Sequence, residues 1–131
     1  MEIVGVGTEI VECVRIARLV ERHGEQFLRQ VYTEEEILFC RSRKKTTETF
    51  AALWAAKEAV LKSLGVAWRQ GMSWLDVAIR VTTLGEVTVE LQGAVEELAR
   101  ERGIVRVLLS YSYCRNYATA HATSLGQRAS M

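Results

Sequence analysis

The chain has 131 residues, 49% of them apolar and 25% charged, with a net charge of +1 near neutrality. That length suits a single domain, 1–131, large enough to bury a core. The near-zero charge implies no general nucleic-acid affinity, and no apolar run is long enough for a membrane helix. No basic, apolar, small-residue leader opens the chain, so a cytoplasmic setting is expected, with Cys13, Cys40 and Cys114 as reduced thiols. Those three are too scattered for zinc spacing. Proline is absent, which leaves the turns to glycine and polar residues.

Ile3 to Gly7 reads as a short buried strand, with Glu9 just past its end where a helix begins. That helix is expected from Ile10 to His23, stopped by Gly24. Ile10, Cys13, Ala17 and Val20 form its buried stripe, and Arg15, Arg18 and Arg22 share another face. Thr33-Glu-Glu-Glu36 is a capping box that opens a third helical segment, carried inward by Ile37, Leu38, Phe39 and Cys40. Arg41-Ser-Arg43-Lys44-Lys45 is a basic loop.

Phe50 to Gly65 is the stretch around which the rest is organised. It is rich in Ala, Leu, Glu and Lys, and Gly65 offers a left-handed stop. At about 100° per residue, Phe50, Leu53, Trp54, Val60, Leu61 and Leu64 make one apolar arc. Ala51, Ala55 and Ala59 make a smooth second face. Glu58 and Lys62, four apart, are expected to meet at the edge of the arc. Lys57 falls inside it and needs an anionic partner or a route to water.

A loop with Trp68 and Gly71 follows, and Trp74 is expected in the core. Val77, Ile79 and Val81 alternate with Ala78, Arg80 and Thr82 as a strand, and Val87, Val89 and Leu91 return after a Leu84-Gly85-Glu86 turn. Ala94 to Arg102 is an amphipathic helix stopped by Gly103. Ile104 to Tyr113 is a long strand, Arg115-Asn116 turns the chain, and Tyr117 to Ala122 is the last strand. Gln127 to Met131 reads as a frayed tail.

Trp54-Ala-Ala-Lys57-Glu58-Ala59-Val-Leu-Lys62 closely resembles the W-x-x-K-E-A-x-x-K signature of 4'-phosphopantetheinyl transferases. Gly5-Val-Gly7-Thr-Glu9-Ile-Val-Glu12 is similar to the N-terminal motif of the small, single-domain holo-acyl-carrier-protein synthase group. Leu64-Gly65, Gly71-Met-Ser73-Trp74 and Asp76-Val77 continue the match in order, over nearly the whole chain.

The resemblance implies an α+β fold, with an antiparallel sheet packed against the long central helix. It implies transfer of the 4'-phosphopantetheine arm of coenzyme A to a serine of an apo acyl carrier protein, releasing 3',5'-ADP. It also implies Mg²⁺ held by Glu9 and Glu58, a pair of carboxylates that suits this cation. Lys62 would meet the diphosphate as a point charge. Lys57 would stabilise charge on the transferring group or orient Glu58. Lys44, Lys45 and Tyr113 would contact coenzyme A. Arg15, Arg18 and Arg22, with Leu19 and Phe27 beside them, would face the acidic carrier. The group assembles as a homotrimer with shared active sites.

The chain departs from the group's pattern at three positions. Glu9 stands where Asp is usual, Leu53 where Arg precedes the motif's tryptophan, and Tyr113 where the strand Ser110-Tyr111-Ser112-Tyr113 would end in His. Leu53 keeps the apolar arc but gives up a potential phosphate contact. A phenol at Tyr113 can donate a hydrogen bond but carries no positive charge near neutrality. Two other readings are open. One is a non-catalytic module that binds carrier protein through the arginine helix. The other is a trimeric scaffold without a ligand.

Overall fold

The computed structural model describes residues 1–65 and 68–127. The chain runs β1 (Glu2–Glu12), α1 (Cys13–Val31), α2 (Glu34–Arg41), α3 (Thr46–Ser63), a 3-10 turn (Trp74–Asp76), β2 (Val77–Val81), β3 (Val87–Leu91), α4 (Gly93–Glu101), β4 (Ile104–Tyr113) and β5 (Tyr117–Gly126). This is the expected α+β class. The strands form not one antiparallel sheet but two, a three-stranded sheet in the order β1-β5-β4 and a β2-β3 hairpin.

The long helix α3 lies on one face of the larger sheet. Strand alternation explains which residues meet it. Glu9 pairs with Ala120, and Ala120 with Tyr111; Val11 pairs with Ala118, and Ala118 with Tyr113. Ala118, Ala120, Ala122 and Ser124 are buried against the helix, which returns Ala51, Ala52, Ala55, Ala56 and Ala59. Small residues on both sides bring the backbones close. At Gly7 the approach is so close that a Cβ would collide with the carbonyl oxygen of Ala59. Gly5 faces the Ser63 carbonyl in the same way. Ser124 Oγ donates to the Ser63 carbonyl at 2.8 Å, pinning the end of the helix to the central strand.

Several expected boundaries move. β1 continues through Glu12, so Glu9 sits within a strand and not at the start of a helix. Pairing with β5 supplies the hydrogen bonds that carry the strand past Gly7. Ile10 is therefore on the outer sheet face, 64% exposed, instead of on a buried helical stripe. Gly24 does not end α1; its positive φ kinks the helix, which resumes to Val31. The α3 helix begins at Thr46, four residues before the first apolar position, and Gly65 takes the expected left-handed conformation. Trp74 is half-buried in the 3-10 turn, not in the core. The capping box forms in full, with Glu36 Oε1 accepting from the Thr33 N–H and Thr33 Oγ1 from the Glu36 N–H. From position 128 on, the expected frayed tail lies outside the described residues.

Among the described residues, no layer covers the outer face of the three-stranded sheet. Ile3, Val6, Ile10, Leu108 and Tyr117 are exposed there, in register with Thr119, His121 and Thr123. An antiparallel sheet with one solvated face normally shows polar residues on it. No described helix is long and apolar enough to cross a membrane.

Candidate active site

Close packing of β1 on α3 sets two carboxylates against each other. Glu9 projects from the inner face of β1, and Glu58 from α3 one turn before Lys62. Lys62 Nζ donates to the Thr8 carbonyl at 3.0 Å and pairs with Glu9 at 3.5 Å. The expected ion pair between Glu58 and Lys62 does not form, because the strand offers the ammonium a carbonyl and a carboxylate together. Burial pushes the Glu58 carboxyl above the ordinary carboxylate range, and the negative charge of Glu9 pushes it further. Lys62 and Arg15 pull the other way.

Two facing carboxylates, one of them destabilised by the other's charge, are a site that a cation relieves. Mg²⁺ takes one or two protein carboxylates and completes its shell with water and phosphate oxygens. Glu9 and Glu58 fit that need. Among the described residues no cluster of three or more His, Cys, Asp or Glu forms an all-protein cage.

Arg15 lies exposed at the rim. Its guanidinium stands 5.3 Å from the centre of the Trp54 ring, a cation–π contact. Trp54 is 6.2 Å from Trp74, and Trp74 stacks on Trp68 at 4.7 Å. Arg18 and Arg22 continue the exposed basic face of α1. Leu19 and Phe27 are only half-exposed, because both pack against the core.

Lys57 pairs with neither carboxylate of this site. It is fully buried, and all of its donors are engaged: with Glu36 Oε1 at 2.8 Å, the Val77 carbonyl at 2.6 Å and the Trp74 carbonyl at 3.1 Å. An ammonium has three N–H groups, so none is left for a phosphate. The expected direct role in charge stabilisation is corrected to a core ion pair. Burial lowers the affinity of Lys57 for its proton, and the Glu36 carboxylate opposes that shift. Leu53 is likewise fully buried, so an aliphatic side chain suits that position.

The basic loop and Tyr113 form a second group, distant from Glu58 within one chain. Lys45 caps the start of α3, and Glu58 lies roughly 20 Å further along the axis at about 1.5 Å per residue. Lys44 and Lys45 are exposed. Beside them a cleft of about 780 Å³ is lined by Phe39, Arg43, Ser110, Tyr111, Tyr113 and the 81–85 turn, among others. Burial raises the Tyr111 phenol, and Arg43 moderates the rise. Arg43 was not among the residues singled out by the motif, although its place in the basic loop was a signal. The nearness of Arg15 to Glu58 had no signal in the sequence, because it depends on the angle at which α1 crosses α3.

Residues 5–122 match the model of the 4'-phosphopantetheinyl transferase superfamily. The chain is 46% identical over 121 residues to a holo-[acyl-carrier-protein] synthase of Rhodopirellula baltica, covering 92% of this chain and 96% of the relative. Its structure is similar to the crystal structure of the Neisseria meningitidis holo-[acyl-carrier-protein] synthase, with a TM-score of 0.84 at 32% identity, covering 95% of this chain and 99% of the other. It is also similar to the Helicobacter pylori enzyme in complex with coenzyme A, with a TM-score of 0.80 at 26% identity, covering 92% and 99%.

Proposed function

The chain belongs to the 4'-phosphopantetheinyl transferase superfamily as a holo-[acyl-carrier-protein] synthase, and from that premise we propose that Glu9, Glu58 and Lys62 form its catalytic centre. The enzyme transfers the 4'-phosphopantetheine arm of coenzyme A to a serine of an apo acyl carrier protein. The serine oxygen bonds to the phosphorus nearer the pantetheine, and the bond from that phosphorus to the bridging oxygen breaks. 3',5'-ADP leaves, and the serine proton is released.

The observation that carries this assignment is the carboxylate pair across the β1–α3 contact with Lys62 at its side. Such a reaction needs neutralisation and positioning more than covalent chemistry. Glu9 and Glu58 would hold Mg²⁺, which when bound supplies positive charge to the diphosphate. Lys62, half-exposed and with a donor to spare, meets a diphosphate oxygen. Arg15, Arg18 and Arg22 receive the acidic carrier, with Leu19 and Phe27 giving partial apolar contact.

Arg43, Lys44 and Lys45 lie at or before the start of α3, about 20 Å of helix from Glu58, too far to share a diphosphate with it in the same chain, and Tyr113 at the end of β4 lines the cleft beside Arg43. They serve the coenzyme A site of a neighbouring copy in a homotrimer. Two features support this reading: the exposed apolar side chains Ile3, Val6, Ile10, Leu108 and Tyr117 on the outer sheet face, which a second copy would cover, and the separation of the two groups of residues. A cytoplasmic setting, with free thiols at Cys13, Cys40 and Cys114, completes it.

Intact-protein mass spectrometry of an apo acyl carrier protein incubated with the enzyme, coenzyme A and Mg²⁺ tests the proposal. The expected gain is one phosphopantetheine, lost in Glu58→Gln and in Lys62→Met. Full transfer by both variants would remove the assigned centre.

A further inference from the structure

Lys57 is a fully buried charge on α3, at a position where an apolar side chain would satisfy packing alone. Its three hydrogen bonds reach three other parts of the fold. Glu36 belongs to the capping box of α2, and its second oxygen accepts from the Ile79 N–H of β2 at 2.7 Å. The carbonyls of Trp74 and Val77 bracket the 3-10 turn. One ammonium therefore ties α2, the turn and the start of β2 to the helix that carries Glu58.

The turn is what carries the Trp74 ring. Trp74 stacks on Trp68 and lies against Trp54, which sits one turn before Lys57 on α3. Arg15 rests on Trp54, and its charge bears on Glu58. The contacts run without a gap from Lys57 to Trp74, Trp54 and Arg15.

We propose that Lys57 is a positioning residue: it fixes the 74–77 segment so that the tryptophan stack holds Arg15 beside Glu58, where the acidic carrier meets the reacting phosphate. This rests on the reading of Glu58 as part of the catalytic centre. Lys57 takes no proton and touches no substrate. Its loss acts on how the carrier is seated.

The test pairs Lys57→Met with Glu36→Gln, so that no uncompensated charge stays in the core. The chain's 3 tryptophans all lie in this stack, so intrinsic fluorescence reports on it alone. The expected result is a red-shifted emission and a KM for carrier protein raised about tenfold, the effect of one well-placed charge contact. The fall in kcat should be smaller, and the pH profile of kcat should keep its wild-type shape. Arg15→Ala should raise the same KM, and adding it to the double variant should change little more.

Loss of kcat with unchanged emission would overturn the proposal, because Lys57 would then act in the chemistry. Full additivity with Arg15→Ala would overturn it as well. If the double variant does not fold, Trp74→Leu replaces it, with the same KM rise and the same non-additivity required. Absence of transfer by the wild type, or full transfer by Glu58→Gln, would instead sink the reading of the centre on which this rests.

Discussion

Gly7→Ala measures how far the closeness of β1 to α3 sets the catalytic geometry. The added Cβ would collide with the Ala59 carbonyl oxygen and lie 2.7 Å from both Lys62 Cβ and the Ser63 nitrogen. Two of these neighbours are helix backbone, which cannot rotate aside. Carbon contacts are comfortable only from about 3.5 Å, so the strand must step away by about 1 Å. Gly7 does not have a positive φ, so the cost is one of contact and not of backbone strain. Overpacking of this kind costs about 1–3 kcal/mol, and rigid backbone partners place it in the upper half of that range. For a domain of this size the melting temperature should fall by about 8 °C. Glu9 lies two residues on, on the same face, and moves with the strand away from Glu58. Misplacing a catalytic group by about 1 Å costs up to about 100-fold in rate. Gly5→Ala is the control: it collides with the Ser63 carbonyl and should lose similar stability, but it lies further from Glu9 and should lose less activity. Circular dichroism melts and initial rates of carrier modification, taken well below both melting temperatures, give the two numbers. Wild-type melting and wild-type kcat/KM in Gly7→Ala would show that the β1–α3 spacing does not set the catalytic geometry, as would equal rate losses in the two variants.

Three further outcomes follow from the same geometry. Glu58→Gln should lower kcat by at least about 100-fold yet raise the melting temperature, because it removes a half-buried charge that Glu9 repels. Burial and Glu9 raise the folded-state pKa of Glu58, so its contribution to stability is present at acid pH and lost as the pH rises through the raised value. The melting gap between variant and wild type should therefore widen from acid to neutral pH, and Mg²⁺ should raise the wild-type melting temperature more than the variant's. A gap constant with pH would mean that the carboxylates do not interact. Arg18→Ala with Arg22→Ala should raise the KM for carrier protein about tenfold at low salt and converge with wild type at high salt; a salt-independent effect would point away from charge complementarity. Val6→Lys, on the exposed outer sheet face, should disperse the assembly in light scattering and take activity with it, whereas a fully active monomer would refute sites shared between copies.

The Gly103 stop and the Arg115-Asn116 turn bounded β4 at Ile104 and Tyr113, and Thr33 with Glu36 fixed the start of α2, because these signals are local and compete with nothing distant. The W-x-x-K-E pattern carried the family and put Glu58 and Lys62 on one helix. Tertiary structure decided the rest. Glu9 was read at a helix start because nothing local shows that β5 pairs with the strand as far as Glu12. Lys62 was expected at Glu58 by helical spacing, but the Thr8 carbonyl and Glu9 of another element compete better for its ammonium. The apolar arc called for an anionic partner at Lys57 while the family resemblance gave it a chemical role; the partner is Glu36, which lies on a different helix and which no local signal names. Helical and strand periods fix which face a side chain takes. Which charge it meets there depends on the crossing of elements far apart in the chain, and only the packed fold sets that.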